Sequence, residues 1–195
     1  MARPREFDLD EATQKALLAF WQRGYESTSI ADLMEAMGIE KGSLYKAYGD
    51  KRSLYLTALE RYLATGMGYH QGILVEDRPF PTILREWLHS LNEHSRGDHG
   101  ATGCMAVHAM IEVAPHDAEI RDRLVKHWQE LVGLLKIRLA QGQSRGEVRT
   151  DCDAEALAEI LLRTMGGLAA FSRLGQVPPA HIVETLVQLF CSAAR

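Results

Sequence analysis

Apolar residues recur along the chain at intervals of three and four, the spacing that gathers them on one face of an α-helix. No run alternates apolar with polar in the manner of a half-buried strand. The first helical segment opens at Asp8, whose carboxylate is suited to cap the amides of the next turn, with Glu11 placed to complete a capping box. Leu9, Ala12, Ala16, Leu17 and Phe20 form its inward face, and Gly24 ends it. A second, short helix opens at Ser29, with Asp32 three residues on, and stops at Gly38; Ile30, Leu33, Met34 and Met37 fall at helical spacing. A third runs from about Lys41 to Tyr48 and ends at Gly49. Two helices joined by a short turn containing Gly38 make a helix-turn-helix.

Asp50 then caps a long fourth helix that carries Leu54, Tyr55, Ala58, Leu59, Tyr62 and Leu63 and reaches about Leu74. Two prolines and two acids between Glu76 and Pro81 mark a break. Further helices are expected at about Thr82–Arg96, Cys104–Val113, Asp117–Gln141, Asp153–Leu174 and Pro179–Ala193, with a glycine-rich loop over 97–103 and another between Gly142 and Gly146. In the last helix Ile182, Val183, Leu186, Val187, Leu189 and Phe190 cover more than half the circumference, wider than the stripe a single core requires. Such a helix is either fully buried within one chain or shared between its own domain and a second copy. Dimerisation through the last two helices is the preferred reading, because Gly166, Gly167, Ala169 and Ala170 allow close helix approach and a two-fold axis would pair two helix-turn-helix heads.

Composition adds limits. With 195 residues, 46% hydrophobic and 25% charged, the chain has length and apolar content for a substantial core. Acidic Asp8, Asp10 and Glu11 stand where a secretory leader would turn apolar, and no stretch has the length to span a bilayer, so no membrane association is expected. Cys104, Cys152 and Cys191 are odd in number and far apart, which fits a reducing cytoplasm better than a disulfide framework. The net charge is −4, and residues 1–55 hold eight Lys/Arg against nine Asp/Glu, a balance of −1, which by itself argues against nucleic acid. Between Lys41 and Arg52, however, Lys41, Lys46, Lys51 and Arg52 face only Asp50, a local balance of +3. Phosphate contacts need positive charge only there.

On the third helix Leu44, Ala47 and Tyr48 share the inward face, while Gly42, Ser43, Tyr45 and Lys46 point away. A major groove admits a helix with that outer face. Gly42 permits close backbone approach, Lys46 and Lys51 suit phosphate, and Ser43 and Tyr45 reach for base edges or phosphates. The run Thr28-Ser29-Ile30-Ala31-Asp32-Leu33-Met34-Glu35-Ala36-Met37-Gly38-Ile39, continued by Glu40-Lys41-Gly42-Ser43-Leu44-Tyr45 and closed by Tyr48-Gly49-Asp50-Lys51, resembles the TetR family of transcriptional repressors, over about Asp8 to Leu63. The resemblance implies that Ser29 and Lys51 hold phosphates, that Lys41, Gly42, Ser43, Tyr45 and Lys46 form the DNA-facing surface, and that Tyr48 packs the recognition helix. It also implies a double-stranded operator and a small-molecule inducer as partners. Two positions depart from the family pattern: Ala47 replaces a common His or Tyr, and Glu40 a common Ser, so operator contacts are expected to differ.

Beyond the fourth helix Gly103-Cys104-Met105, followed by Ala114-Pro115-His116-Asp117, resembles a subgroup with a Gly-Cys-Leu start to its sixth helix, in which some members sense electrophiles or metals. A thiolate at a helix N-terminus is stabilised, so Cys104 reads either as a reactive sensor or as a small buried apolar residue. Cys104 and His108 lie four apart, with His94 and His99 upstream, a spacing that matches no metal signature; no metal and no cofactor are expected. Tyr69, His70, Trp87, Cys104, Met105, His108, Trp128 and Phe171 are the candidates to line a ligand pocket. No phosphate loop, His-Glu-x-x-His motif or nucleophile elbow is present, so catalysis is not expected. The expectation is an all-α chain: residues 1–52 a three-helix DNA-binding head, residues 53–195 a larger helical domain for ligand binding and dimerisation. The alternatives are the same head driven by a thiol- or metal-responsive Cys104, and an all-helical binding module without DNA function.

Overall fold

A computed structural model describes residues 7–94, 102–175 and 179–191. They form α1 (Leu9–Arg23), α2 (Ile30–Met37), α3 (Lys41–Tyr48), α4 (Lys51–Leu74), α5 (Phe80–His94), α6 (Met105–Glu112), α7 (Ala118–Ser144), α8 (Ala154–Ser172) and α9 (Ala180–Phe190). The expected loop over 97–103 lies outside the described residues except for its last two positions.

Local chemistry sets most boundaries. Asp8, Ser29, Asp50, Asp117 and Asp153 each accept amide hydrogens of the following turn and open α1, α2, α4, α7 and α8. The capping box forms at Ser29 with Asp32 but not at Asp8, because the Glu11 carboxylate pairs with Lys15 Nζ at 2.7 Å instead. Gly38 sits in the left-handed region, φ +67°, where an L side chain would be strained, and closes α2.

Several boundaries move for tertiary reasons. Helix α5 starts at Phe80, two residues before the expected Thr82, since Glu147 Oε2 accepts the Phe80 amide at 2.8 Å and the first turn tolerates Pro81. Gly142 does not end α7. The helix runs on to Ser144, and Gly142 is a close-packing point whose Cβ position lies only 2.6 Å from Val148 Cγ2. Helix α8 ends at Ser172 rather than Leu174, and α9 at Phe190, after which Cys191 bridges Val148.

Two apolar cores result. The first joins α1–α3 and the first half of α4 to α6 and the start of α7, around Phe20, Leu33, Leu44, Tyr55 and Leu59. The second packs the end of α4 with α5, α7, α8 and α9 around Phe80, Trp87, Leu135 and Leu161. Trp128 packs against both. The last helix is more one-sided than its pattern implies: Val183, Leu186, Val187 and Phe190 are buried in their own domain, and of its apolar stripe Leu189 is the exposed member. Outward apolar surface lies instead on α8, at Ile160 and Phe171, and just beyond its end at Leu174. Among the described residues no helix is long and apolar enough to cross a membrane.

Candidate nucleic-acid interface and ligand cavity

Helix α3 is anchored by Leu44, which is wholly buried, and by Tyr48, whose hydroxyl lies 3.0 Å from Thr13 Oγ1 and 3.2 Å from the Leu9 carbonyl that accepts its proton. That side holds the helix against α1. The opposite side is open: Lys41, Gly42, Tyr45 and Lys46 are exposed, Ser43 is half-buried, and nothing lies within 4 Å of a Cβ placed on Gly42. Lys41 Nζ stands 6.0 Å from the Tyr45 ring centroid, and Lys51 Nζ 4.4 Å over the Tyr25 ring. Ala47 is half-buried beside Tyr48 rather than wholly inward.

Ser29 is exposed, but its hydroxyl is engaged: it donates to Asp32 Oδ2 at 2.6 Å and accepts the Asp32 amide at 3.1 Å. The Ser29 hydroxyl and the Ser29 amide, which donates to the same Oδ2 at 2.8 Å, reinforced by Arg23, hold the Asp32 carboxyl below its ordinary range. Arg52 faces away from this surface. It forms a fork with Asp117 (2.6 and 2.9 Å) and reaches Glu119 at 2.8 Å, which holds Asp117 down at about 2. Of the basic cluster around α3, three lysines therefore remain for an outside partner while the arginine locks the head to α7.

A cavity of about 450 Å³ lies where the two cores meet. Helix α1 contributes Gln14, Leu17 and Trp21; α4 contributes Tyr62, Tyr69 and His70 among others; α5, α6, α7, α8 and α9 close the rest. Of the eight expected pocket residues, Tyr69, His70, Trp87, Cys104 and Trp128 line it. Met105 does not: the first residue of α6, directly after the extended N-cap Cys104, it is buried in the head core. His108 faces a shallower depression beside Arg23, Glu112 and Arg173, and its Nδ1 stands 3.2 Å from Arg173 Nη1. An arginine can only donate, so Nδ1 accepts; burial and Arg173 push the ring down to about 4. Phe171 lies on the outer face of α8, 60% exposed. Cys104 is the N-cap of α6, and the Tyr62 hydroxyl, whose ionisation burial raises well above its ordinary range, lies 3.4 Å from its Sγ. Among the described residues no group of three His, Cys, Asp or Glu could hold a metal; His99 and the side chain of His94 lie outside them.

Sequence reasoning missed the links between cavity and head. Glu112, the last residue of α6, accepts the Tyr25 and Glu26 amides of the α1–α2 loop, both at 2.9 Å. Trp21 Nε1 donates to the Gly103 carbonyl at 2.9 Å, and Arg173 Nη2 to the Gln22 carbonyl at 3.2 Å. Each spans more than eighty positions, so no local pattern announces it.

Residues 13–58 match the family described as bacterial regulatory proteins, tetR family, and residues 82–185 the family described as tetracyclin repressor-like, C-terminal domain. The chain is 30% identical over 174 residues to the HTH-type transcriptional repressor ComR of Escherichia coli (strain K12), covering 89% of this chain and 83% of that protein. It is 29% identical over 184 residues to the repressor BdcR of the same organism, covering 94% and 86%. Among solved structures, a cysteine mutant of the TetR family transcriptional regulator CifR complexed with 26-base-pair operator DNA superposes with a TM-score of 0.83 at 31% identity, covering 97% of this chain and all of that one.

Proposed function

We propose for this chain, which belongs to the TetR family of transcriptional regulators and is a DNA-binding repressor rather than an enzyme, a mode of action in which a homodimer grips a palindromic operator and a small molecule in the cavity releases it. The observation that carries the reading is the open outer face of α3, with Gly42, Tyr45 and Lys46 uncovered while Leu44 and Tyr48 pin the helix from behind. In this reading Ser43 and Tyr45 address base edges or phosphates, Lys41, Lys46 and Lys51 neutralise phosphates, and Gly42 allows the backbone to approach. The Ser29 hydroxyl serves the α2 cap first, so its phosphate contact falls to the exposed end of that cap. Tyr48 acts by position and not by contact.

The division into a head over 1–52 and a larger domain over 53–195 is a functional one, for the first turns of α4 pack in the head core and its last turns in the other. Two copies meet through α8 and α9, where Ile160, Phe171 and Leu189, with Leu174 in the turn after α8, present apolar surface to solvent. A DNA-bound repressor of this kind works in the cytoplasm. Ligand entry shifts α6 and α4, and Glu112 carries the movement of α6 to the α1–α2 loop, changing the separation of the two heads. Release requires the ligand to favour the separated state.

The test replaces Tyr45 and Lys46 by Ala together. Specific operator binding, measured by fluorescence polarisation on the protein's own upstream DNA, should be lost while the melting temperature and dimer mass stay unchanged. Full operator affinity in that variant would overturn the assigned face. A second reading, in which Cys104 acts as a thiol-based or metal-responsive trigger, draws on the place of its sulfur in the cavity wall. Cys104→Ser then keeps operator binding but loses the response to alkylating agents, oxidants or metal, and an unaltered response discards it.

A further inference from the structure

His70 has one ring nitrogen spoken for. Trp87 is wholly buried, and its indole Nε1 lies 3.0 Å from His70 Nδ1. An indole nitrogen can only donate, so Nδ1 is the acceptor and the imidazole proton resides on Nε2. The edge-to-face contact of the two rings, centroids 5.5 Å apart at 86°, fixes the plane of the imidazole. Nε2 has no partner among the described residues, and His70 belongs to the cavity wall. Burial and the neighbouring His127 push this ring down to about 4, so it stays a neutral donor at ordinary pH.

Among the described residues no Lys, Arg, Asp or Glu lines the cavity. An ion placed there would lose its hydration without gaining a counter-charge. The polar groups of its lining (Gln14, Tyr62, Thr65, Tyr69, His70, Cys104, His127 and the unpartnered, buried Trp128 Nε1) are uncharged hydrogen-bonding groups or imidazoles depressed by burial. Trp21, Trp87 and Trp128, all the tryptophans of the chain, supply broad flat walls. A volume of about 450 Å³ falls in the lower part of the range that small-molecule pockets occupy.

We infer that the cavity takes an uncharged, flat, largely aromatic compound bearing a hydrogen-bond acceptor such as a carbonyl, and that His70 Nε2–H is the donor that orients it. The inference rests on reading this cavity as the inducer site. Carboxylates and amines are disfavoured by the lack of a counter-ion among the described residues, and pure hydrocarbons bind without the anchoring bond.

Isothermal titration of the intact protein with three compounds of similar shape tests it: 2-acetylnaphthalene, 2-isopropenylnaphthalene and 2-naphthoate. The ketone should bind about tenfold more tightly than the hydrocarbon, the worth of one sheltered hydrogen bond, and more tightly than the anion by at least about as much. His70→Leu should bring the ketone down to the hydrocarbon's affinity while the hydrocarbon changes by less than about twofold, which also reports an intact fold. Trp87→Phe, which frees the tautomer without removing the imidazole, should narrow the ketone's advantage. Equal or tighter binding of 2-naphthoate, an undiminished ketone preference in His70→Leu, or no binding by any of the three overturns the inference. Operator release, followed in parallel, separates the two readings. A ketone that binds but leaves the operator occupied overturns the inducer-site reading alone, whereas release by the anion alone overturns the ligand class and keeps the inducer site.

Discussion

Removing the Glu112 carboxylate should loosen the head from the ligand-binding body. In Glu112→Ala the Tyr25 and Glu26 amides lose their shared acceptor. A hydrogen bond to a charged group contributes about 1.5–3 kcal/mol when sheltered. The Glu26 site is exposed, so water substitutes there, while the Tyr25 site is partly buried and bears most of the loss. One effect opposes this: a carboxylate in the last turn of α6 lies at the negative end of that helix, and deleting it recovers about 0.3–1 kcal/mol. The balance is a net loss of about 1 kcal/mol, or roughly 2–4 °C in melting temperature for a chain of this size. Glu112→Gln keeps one carbonyl acceptor and should fall between. Thermal denaturation followed by circular dichroism measures the loss, and hydrogen exchange localises it, with the Tyr25 amide losing protection ahead of the α4 core. If the variant melts within about 1 °C of the parent and the Tyr25 amide exchanges as before, the carboxylate clamp holds nothing and its proposed part in transmission goes with it.

Acid should weaken the fold well before the carboxylates titrate. His70 and His108 are both held neutral down to about 4, whereas an unfolded chain protonates them near 6.5. Between those values the unfolded state binds more protons, so stability falls as pH drops, by about 2 kcal/mol per ring at pH 5; urea midpoints at pH 7 and pH 5 should differ accordingly, and His70→Leu should reduce the difference. Gly103→Ala should cost about 1–3 kcal/mol, since φ is +63° and the new Cβ would lie 2.7 Å from the Ala169 carbonyl, a backbone atom that cannot swing aside; a urea midpoint unchanged from the parent would refute that packing. Phe171→Glu combined with Leu174→Glu should yield a monomer by light scattering with weakened operator affinity, and a persisting dimer would move the interface off the C-terminal end of α8 and the turn after it.

What could be read from the chain alone was whatever neighbours in sequence decide. Asp8, Ser29, Asp50, Asp117 and Asp153 cap helices through amides two or three residues away, so the openings of α1, α2, α4, α7 and α8 follow from composition at those points. The helix-turn-helix was legible for the same reason, because Leu33, Gly38 and Leu44 set its packing within a dozen positions. The cavity was only half legible. Periodicity says which residues share a face, but a helix packed on two sides does not announce which side holds the void: adjacent at the start of α6, the N-cap Cys104 lines the cavity and Met105 fills the head core, while on α8 Ala169 lines it and Phe171 faces outward. The Glu112 clamp, the Trp21–Gly103 bond and the tautomer lock of Trp87 on His70 join segments 87, 82 and 17 positions apart. Such contacts exist only once the helices have packed, and they decide how a molecule in the cavity is felt by the head.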